Sequence, residues 1–228
     1  MTRHLLLVPA LFATATVAPA QGVKSLDRGS FTISVNGQRA GREDFTIGGT
    51  PGATGMEYLS KATVVYGDKR MNPSLWSDSS GAPARYTIEV KGTAGGSERW
   101  MGRISRGRVS AQIDNARGPS EREYVVSEGA VLVDDDVFHQ YYFVALRASR
   151  PAVTIVIPRR NTQLVLRPSV SGTESLTIGG TAIEGRHLVF TEPGGQVRDV
   201  WVDAAGRVLK VAIPARGVIA LRDDPPSP

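Results

Sequence analysis

Residues 134–151 read DDDVFHQYYFVALRASRP, the one stretch with clear helical character in a chain that is otherwise strand-like. Val137, Phe138, Tyr141, Tyr142, Phe143, Val144, Ala145 and Leu146 cover more than one stripe of a 3.6-residue wheel, so a helix over about 134–148 has to be buried. One of Asp134, Asp135 and Asp136 is placed to cap its first turn. Arg147 and Arg150 suit its negative end, and Pro151 stops it. The rest of the chain must therefore supply something for this helix to lie inside.

On both sides of it the apolar residues alternate with a period of two, the mark of half-buried strands. Phe31, Ile33 and Val35 share a face, Asn36-Gly37 is a strong hairpin signal, and Phe45 and Ile47 lie on the returning strand. Gly48 to Gly55 reads as a turn-rich loop. Tyr58, Ala62, Val64 and Tyr66 alternate along the next strand, and 67–83 reads as a polar connection in which Leu75 and Trp76 could plug an open end. Tyr86, Ile88 and Val90, then Trp100 and Ile104, then Val109, Ala111 and Ile113, then Tyr124 and Val126 form successive strands divided at Gly95-Gly96 and Arg106-Gly107. After the helix come Val153 to Ile157, stopped by Pro158, and Leu164 to Leu166, stopped by Pro168. Leu176 and Ile178 are closed by Gly179-Gly180. Leu188 and Phe190, Val200 and Val202, Leu209 to Ile213 and Val218 to Leu221 complete the series. Gly and Pro, 25 and 14 residues, fall between these runs as turn punctuation rather than in one linker.

The chain opens with Arg3 and His4, an apolar run from Leu5 to Val17 and the small-residue site Ala18-Pro19-Ala20, the pattern of an export signal cleaved after Ala20. The expected location is the periplasm or the cell exterior, with 21–222 as a single β domain and 223–228, the tail DDPPSP, disordered. There is no cysteine, so neither a disulfide nor a lipidated thiol can form in that compartment. No later stretch approaches the ~20 apolar residues of a membrane-spanning helix. The formal net charge of +5 is modest and spread out, and it gives no reason to expect a nucleic-acid partner.

Roughly eleven to thirteen strands in about 200 residues cannot lie flat, so the expected fold is mainly β: a curled antiparallel meander, an open half-barrel, around one buried helix. The runs GTESLTIGGTAIEGRHLVFTE (172–192) and VRDVWVDAAGRVLKVAIP (197–214) carry a Gly-x-Glu strand entering a Gly turn and a Trp-x-Asp hairpin with Gly-Arg at its tip. These are Gly172, Glu174, Gly179, Gly180, Trp201, Asp203, Gly206 and Arg207. They resemble the C-terminal half of uncharacterised secreted β-proteins of Gram-negative bacteria known only as a domain of unknown function. Those proteins look like relatives of the periplasmic lipoprotein carriers, whose open β-barrel closes over a helical lid and holds acyl chains. The resemblance transfers no catalytic residue.

The residues offer little chemistry of their own. Asp134 to Asp136 could bind a hard cation, but consecutive positions splay around a helix start and the spacing of a calcium loop is missing, so capping is preferred and no metal is expected. His139 could serve a hydrolase as general base, yet no nucleophile elbow accompanies it, and a polar partner inside the barrel is the plainer role. Glu121 and Glu123 share a strand face but read as solvated surface. Arg103, Arg106, Arg108, Arg159 and Arg160 suit either the rim of a cavity for an anionic ligand or protection of sheet edges.

The expected function is non-enzymatic. An acyl chain or other apolar ligand is held between sheet and helix by Phe138, His139, Tyr141, Tyr142, Arg159 and Arg160, without a cofactor. The alternatives are a hydrolase of envelope polymers, with His139 and the aspartates in a cleft, and a structural or assembly partner of another envelope protein.

Overall fold

The computed structural model describes residues 23–92 and 96–227. The expected export signal and cleavage site lie outside them. No helix among the described residues is long and apolar enough to cross a membrane.

Eight strands precede the helix segment: β1 (Lys24–Val35), β2 (Gln38–Gly52), β3 (Gly55–Tyr66), β4 (Lys69–Ser77), β5 (Pro83–Gly92), β6 (Gly96–Ser105), β7 (Arg108–Asn115) and β8 (Gly118–Val125). Then come the two-residue β9 (Val131–Leu132), the helix α1 (Tyr141–Ala145), β10 (Val153–Ile157), β11 (Thr162–Ile178), β12 (Thr181–Thr191), β13 (Val197–Val202), β14 (Val208–Ile213) and β15 (Val218–Arg222). They form one 15-stranded sheet in the order β8-β7-β6-β5-β4-β3-β2-β1-β15-β14-β13-β12-β11-β10-β9. Each half is a meander, and β1 pairs with β15 to join them. Every ladder is antiparallel except the short one between β9 and β10.

The two outermost strands, β8 and β9, are not paired with each other, so the sheet stays open. Side chains span the gap instead. The Gln163 amide donates to the Val125 carbonyl (2.9 Å) and accepts from Ser127 N (2.8 Å), and the Tyr124 hydroxyl donates to the Pro158 carbonyl (3.2 Å).

The sheet carries fifteen strands rather than eleven to thirteen because two unforeseen segments are paired: β4 occupies what reads as a polar connection, and the two-residue β9 precedes the helix. β2 also runs on to Gly52, through what reads as a turn-rich loop. β4 tolerates Pro73 in a central position because the β3–β4 ladder skips it: pairing passes from Lys61↔Ser74 to Val64↔Met71, and the Thr63 hydroxyl bonds the Asn72 side chain (3.2 Å) across the break. Leu75 plugs no end; it faces the core, while Trp76 lies outside beneath Arg85. β11 likewise passes through Pro168, whose missing N–H falls beyond the last β10 pair, Val153↔Leu166.

The regular helix is also shorter than 134–148. Only Tyr141–Ala145 is α-helical, with turns before and after it. No aspartate caps it: the N-cap is Gln140, without a side-chain bond. What the sequence does impose is burial. Val131 to Val133, Val137, Phe138 and Tyr141 to Ala145 all lie in the main core with Phe31, Ile88, Trp100, Phe190 and Val211 from the sheet. Segment 130–148 is therefore a plug inside the curl. Burying so many large side chains, at ~25 cal/mol per Å² of apolar area, makes it the main filling of the interior.

In a meander, connections alternate between the two rims of the sheet. One rim carries 78–82, 106–107, 126–130 and 203–207; the other carries 36–37, 67–68, 158–161 and 214–217. The plug enters at the first, turns at Asp134–Asp136 beside the second, and leaves through Arg147 at the first again.

Candidate functional site

At the rim where the plug turns, carboxylates meet guanidinium groups. Asp134 is buried, accepts the Tyr86 hydroxyl (2.8 Å) and pairs with Arg159 Nε (2.8 Å). Burial pushes its carboxyl up from the ordinary range despite the opposing pull of Arg159, and burial beside Asp134 pushes the Tyr86 phenol well up. Asp135 pairs with Arg160 (2.6 Å) and faces Arg216 (3.8 Å), and Asp136 pairs with Arg216.

The arginines come from two matching turns. Ile157-Pro158-Arg159-Arg160-Asn161 and Ile213-Pro214-Ala215-Arg216-Gly217 each leave a strand, make a 3-10 turn with Pro first, and end left-handed, at φ 51° and 61°. Arg160 and Arg216 hold equivalent places in these turns and grip the same Asp135. Sequence reading missed this repeat, although the shared Ile-Pro-x-Arg spacing was there to be seen. This rim is a latch.

Midway along the plug, both Glu43 oxygens are used. One accepts Phe138 N (2.6 Å), and the other accepts His139 N (3.1 Å) and pairs with His139 Nδ1. His139 Nε2 lies 3.1 Å from Ser60 Oγ. With Nδ1–H assigned as donor to Glu43, Nε2 accepts the Ser60 hydroxyl. A serine, a histidine and a carboxylate in this order have the connectivity of a hydrolytic triad. Here all three are buried, and the Phe45 ring stacks on the imidazole at 5.8 Å. Moreover His139 rides on the plug, so any movement admitting a substrate to Ser60 carries the base away. The row fastens the plug to β2 and β3.

The predicted site residues therefore separate. Phe138 and Tyr141 are core, and Tyr141 accepts a bond from Arg198 (2.6 Å). His139 is the rivet just described, and Arg159 and Arg160 are bound to aspartates. Phe138 and Tyr141 border only a cavity of about 10 Å³ beside the aspartates, whereas Tyr142 reaches a cleft of about 570 Å³ between Lys24, Leu26, Asp27 and Ala205 at the first rim. Burial, aided by Tyr58 and Asp27, pushes its phenol up to about 12.

The larger opening at that rim is a cleft of about 820 Å³. Pro83 and Ala84 of β5, Ile104 of β6, the turn Arg106-Gly107, residues 125–130 and Val156 of β10 line it. Leu146, 43% exposed, and Val125, 66% exposed, stand at this rim. Beneath it Arg147 ties both stems of the plug together, donating to the Ser80 carbonyl (2.7 Å), the Ser80 hydroxyl (2.8 Å) and the Gly129 carbonyl. We call it the cleft rim. A groove of about 710 Å³ lies elsewhere, lined by Asp44, Thr46, Lys61 and Thr63 and by tail residues Asp224 and Pro225.

The motif residues of the C-terminal half build a clamp on β11 to β14 and the 203–207 turn, apart from the 820 Å³ cleft. Gly172 (φ 135°) sits at a register shift that bends β11, and Glu174 accepts Trp201 Nε1 (3.0 Å). His187 stacks on Trp201 at 4.2 Å and bonds Asp199 (2.8 Å), while Lys210 Nζ lies 4.1 Å from the same ring. Ile178, Trp201 and Leu209 form a second small core there. Asp203 closes its hairpin on Arg207 (2.7 Å).

No protein-family model matches the chain, and no curated protein matches it in sequence. Among solved structures it is similar to a β-barrel-like protein of the domain of unknown function DUF1849 from Brucella abortus. The TM-score is 0.54 at 9% identity, over 89% of this chain and 98% of that one. At that identity the likeness concerns the fold: a barrel-like, mainly β protein.

Proposed function

We propose that the protein is a non-enzymatic binding protein, exported to the periplasm or cell exterior, that takes an acyl chain or other apolar ligand between sheet and plug at the cleft rim. The observation that carries this reading is the cleft of about 820 Å³, where Ala82, Ala84, Ile104 and Val125 are accessible above the buried Val126 and Val156. Its size suits a small ligand, and its apolar stretch bordered by Ser80, Ser105, Arg106, Ser127 and Glu128 suits a greasy one with a polar end. The remaining interior is filled by the plug, so the ligand sits beside segment 125–130 and above Arg147 rather than against Phe138. Of the residues expected to touch ligand, Tyr142 keeps a place, in the neighbouring cleft.

The test is native mass spectrometry and lipid extraction of the full chain, produced with its leader and recovered from periplasm. The expected result is a stoichiometric acyl adduct that is lost or weakened in Ile104→Trp, whose indole obstructs the path of the chain while circular dichroism stays unchanged. Protein that carries no adduct and does not bind a fluorescent acyl probe would overturn the reading.

A further inference from the structure

The buried and half-buried arginines divide into two kinds. Arg159 pairs with Asp134, Arg198 with Glu192, Arg216 with Asp136 and Arg222 with Asp27. Arg147, only 7% exposed, has no carboxylate partner within ion-pair distance among the described residues. Its three acceptors are two carbonyls and a hydroxyl. Burial holds its pKa below the ordinary value, with Arg150 adding to the effect and Asp78 opposing it from a distance. The Asp78 Oδ1 atom is occupied by Ser80 N, Ser80 Oγ and Ala82 N. A guanidinium taken out of water without a counter-ion is costly, and a neutral carbonyl cage offsets only part of that cost.

Ser80 and Gly129, the residues that hold Arg147, both line the 820 Å³ cleft. A group bound there lies one residue away from the uncompensated charge. Arg106 lines the same cleft, exposed on the left-handed turn at φ 50°. Ser105 and Ser127 add hydroxyl donors, and Glu128 is the one lining carboxylate besides Asp78. Beyond these polar groups the wall is apolar.

We propose that the cleft selects an anionic single-chain amphiphile, its chain along Ala82, Ala84, Ile104 and Val125 and its carboxylate or phosphate head over Ser80 and Gly129, with Arg147 below and Arg106 beside it. The inference deepens the binding reading above and rests on it. Carboxylate and phosphate share the recognition chemistry, in which planar guanidinium forks and hydroxyl donors satisfy an oxyanion. Glu128 keeps the head toward the Ser80 side.

The experiment uses lipid-stripped full-length protein and four probes of defined chemistry: dodecanoate, dodecyl phosphate, dodecanol and inorganic phosphate, measured by calorimetry at two salt concentrations. Both charged amphiphiles should bind at least about tenfold more tightly than dodecanol. That preference should shrink with added salt and in Arg106→Asn, where Asn tolerates the left-handed turn. Arg147→Lys should keep part of the preference and Arg147→Met should lose it. Because Arg147→Met could loosen the plug stems, Arg106→Asn alone suffices to decide. If dodecanol binds as tightly as dodecanoate and Ile104→Trp blocks both, the head-group inference falls while the binding reading survives. If no amphiphile binds, the binding reading itself falls. If inorganic phosphate binds as tightly as dodecyl phosphate, the site takes a free anion and the amphiphile inference is overturned.

Discussion

At one rim of the sheet three consecutive aspartates meet Arg159, Arg160 and Arg216. At the other a single buried arginine, Arg147, meets only neutral oxygens. Both rims border the same plug, and both use guanidinium groups. Where each charge has an opposite partner held by a rigid turn, the surface is closed and nothing is left for a ligand to satisfy. Where the charge is caged by Ser80 and Gly129 beside an apolar wall, a cleft stays open, and its electrostatics favour an anion. The contrast teaches that arginine placement alone says little. The partners decide whether an arginine seals or recruits.

The largest effect that could break this contrast is at the latch. Asp134→Ala leaves the buried Tyr86 and the half-buried Arg159 without their acceptor and should cost about 3 kcal/mol in urea unfolding. Val125→Ser at the cleft rim should stay within about 0.5 kcal/mol. Equal losses would mean that the two rims are not built differently. The matching turns give a finer probe. Arg160→Ala and Arg216→Ala each remove one grip on Asp135, so their losses should be non-additive, with a coupling of about 0.5 to 1 kcal/mol in a double-mutant cycle. Because Arg160 is largely exposed, screening keeps its own loss small. Additive losses would show the turns acting separately.

The smallest effect concerns Asp223, a compensated charge held by β1 and β2 away from the cleft. Burial alone would push its carboxyl up, but hydrogen bonds from Thr32 and Ser30 and the Arg42 charge more than reverse this and hold it below the ordinary range. A carboxylate depressed in the folded state adds stability above its unfolded pKa of ~3.9 and loses it as pH falls through the folded value. Asp223→Asn should therefore destabilise by up to about 1 kcal/mol at pH 7, and its deficit should shrink as pH falls below the unfolded value and vanish below the depressed folded one. A deficit independent of pH would sever the tail's first residue from this role.

Much of the fold was legible because local chemistry and tertiary pairing agree. Asn36-Gly37 makes the left-handed turn its residues demand, at φ 49° and 78°, and Pro158 ends β10 where expected. A helix apolar all round is inside. β4 was not legible, since KRMNPSLWS carries a proline whose penalty is avoided only by a gap in a ladder 9 residues away in sequence. The aspartate triplet misled for a related reason. Beside an apolar run it looks like a cap, but its partners are Arg159, Arg160 and Arg216, contributed by turns on both sides of β11 to β14, and no local pattern announces that pairing. The Glu43–His139–Ser60 row is equally long-range, spanning 96 and 79 positions. The cleft escaped notice because it is formed by loops, where the signal lies in which arginine lacks a partner.

The most direct test of the account is a residue-resolved NMR titration of the stripped protein with dodecanoate. Shifts confined to 80–84, 104–107, 125–130 and the Arg147 guanidinium, with Pro158–Arg160 and Pro214–Arg216 unmoved, are the predicted result. Shifts centred on those two turns, or spread over Phe138 and Tyr141 in the core, would contradict it.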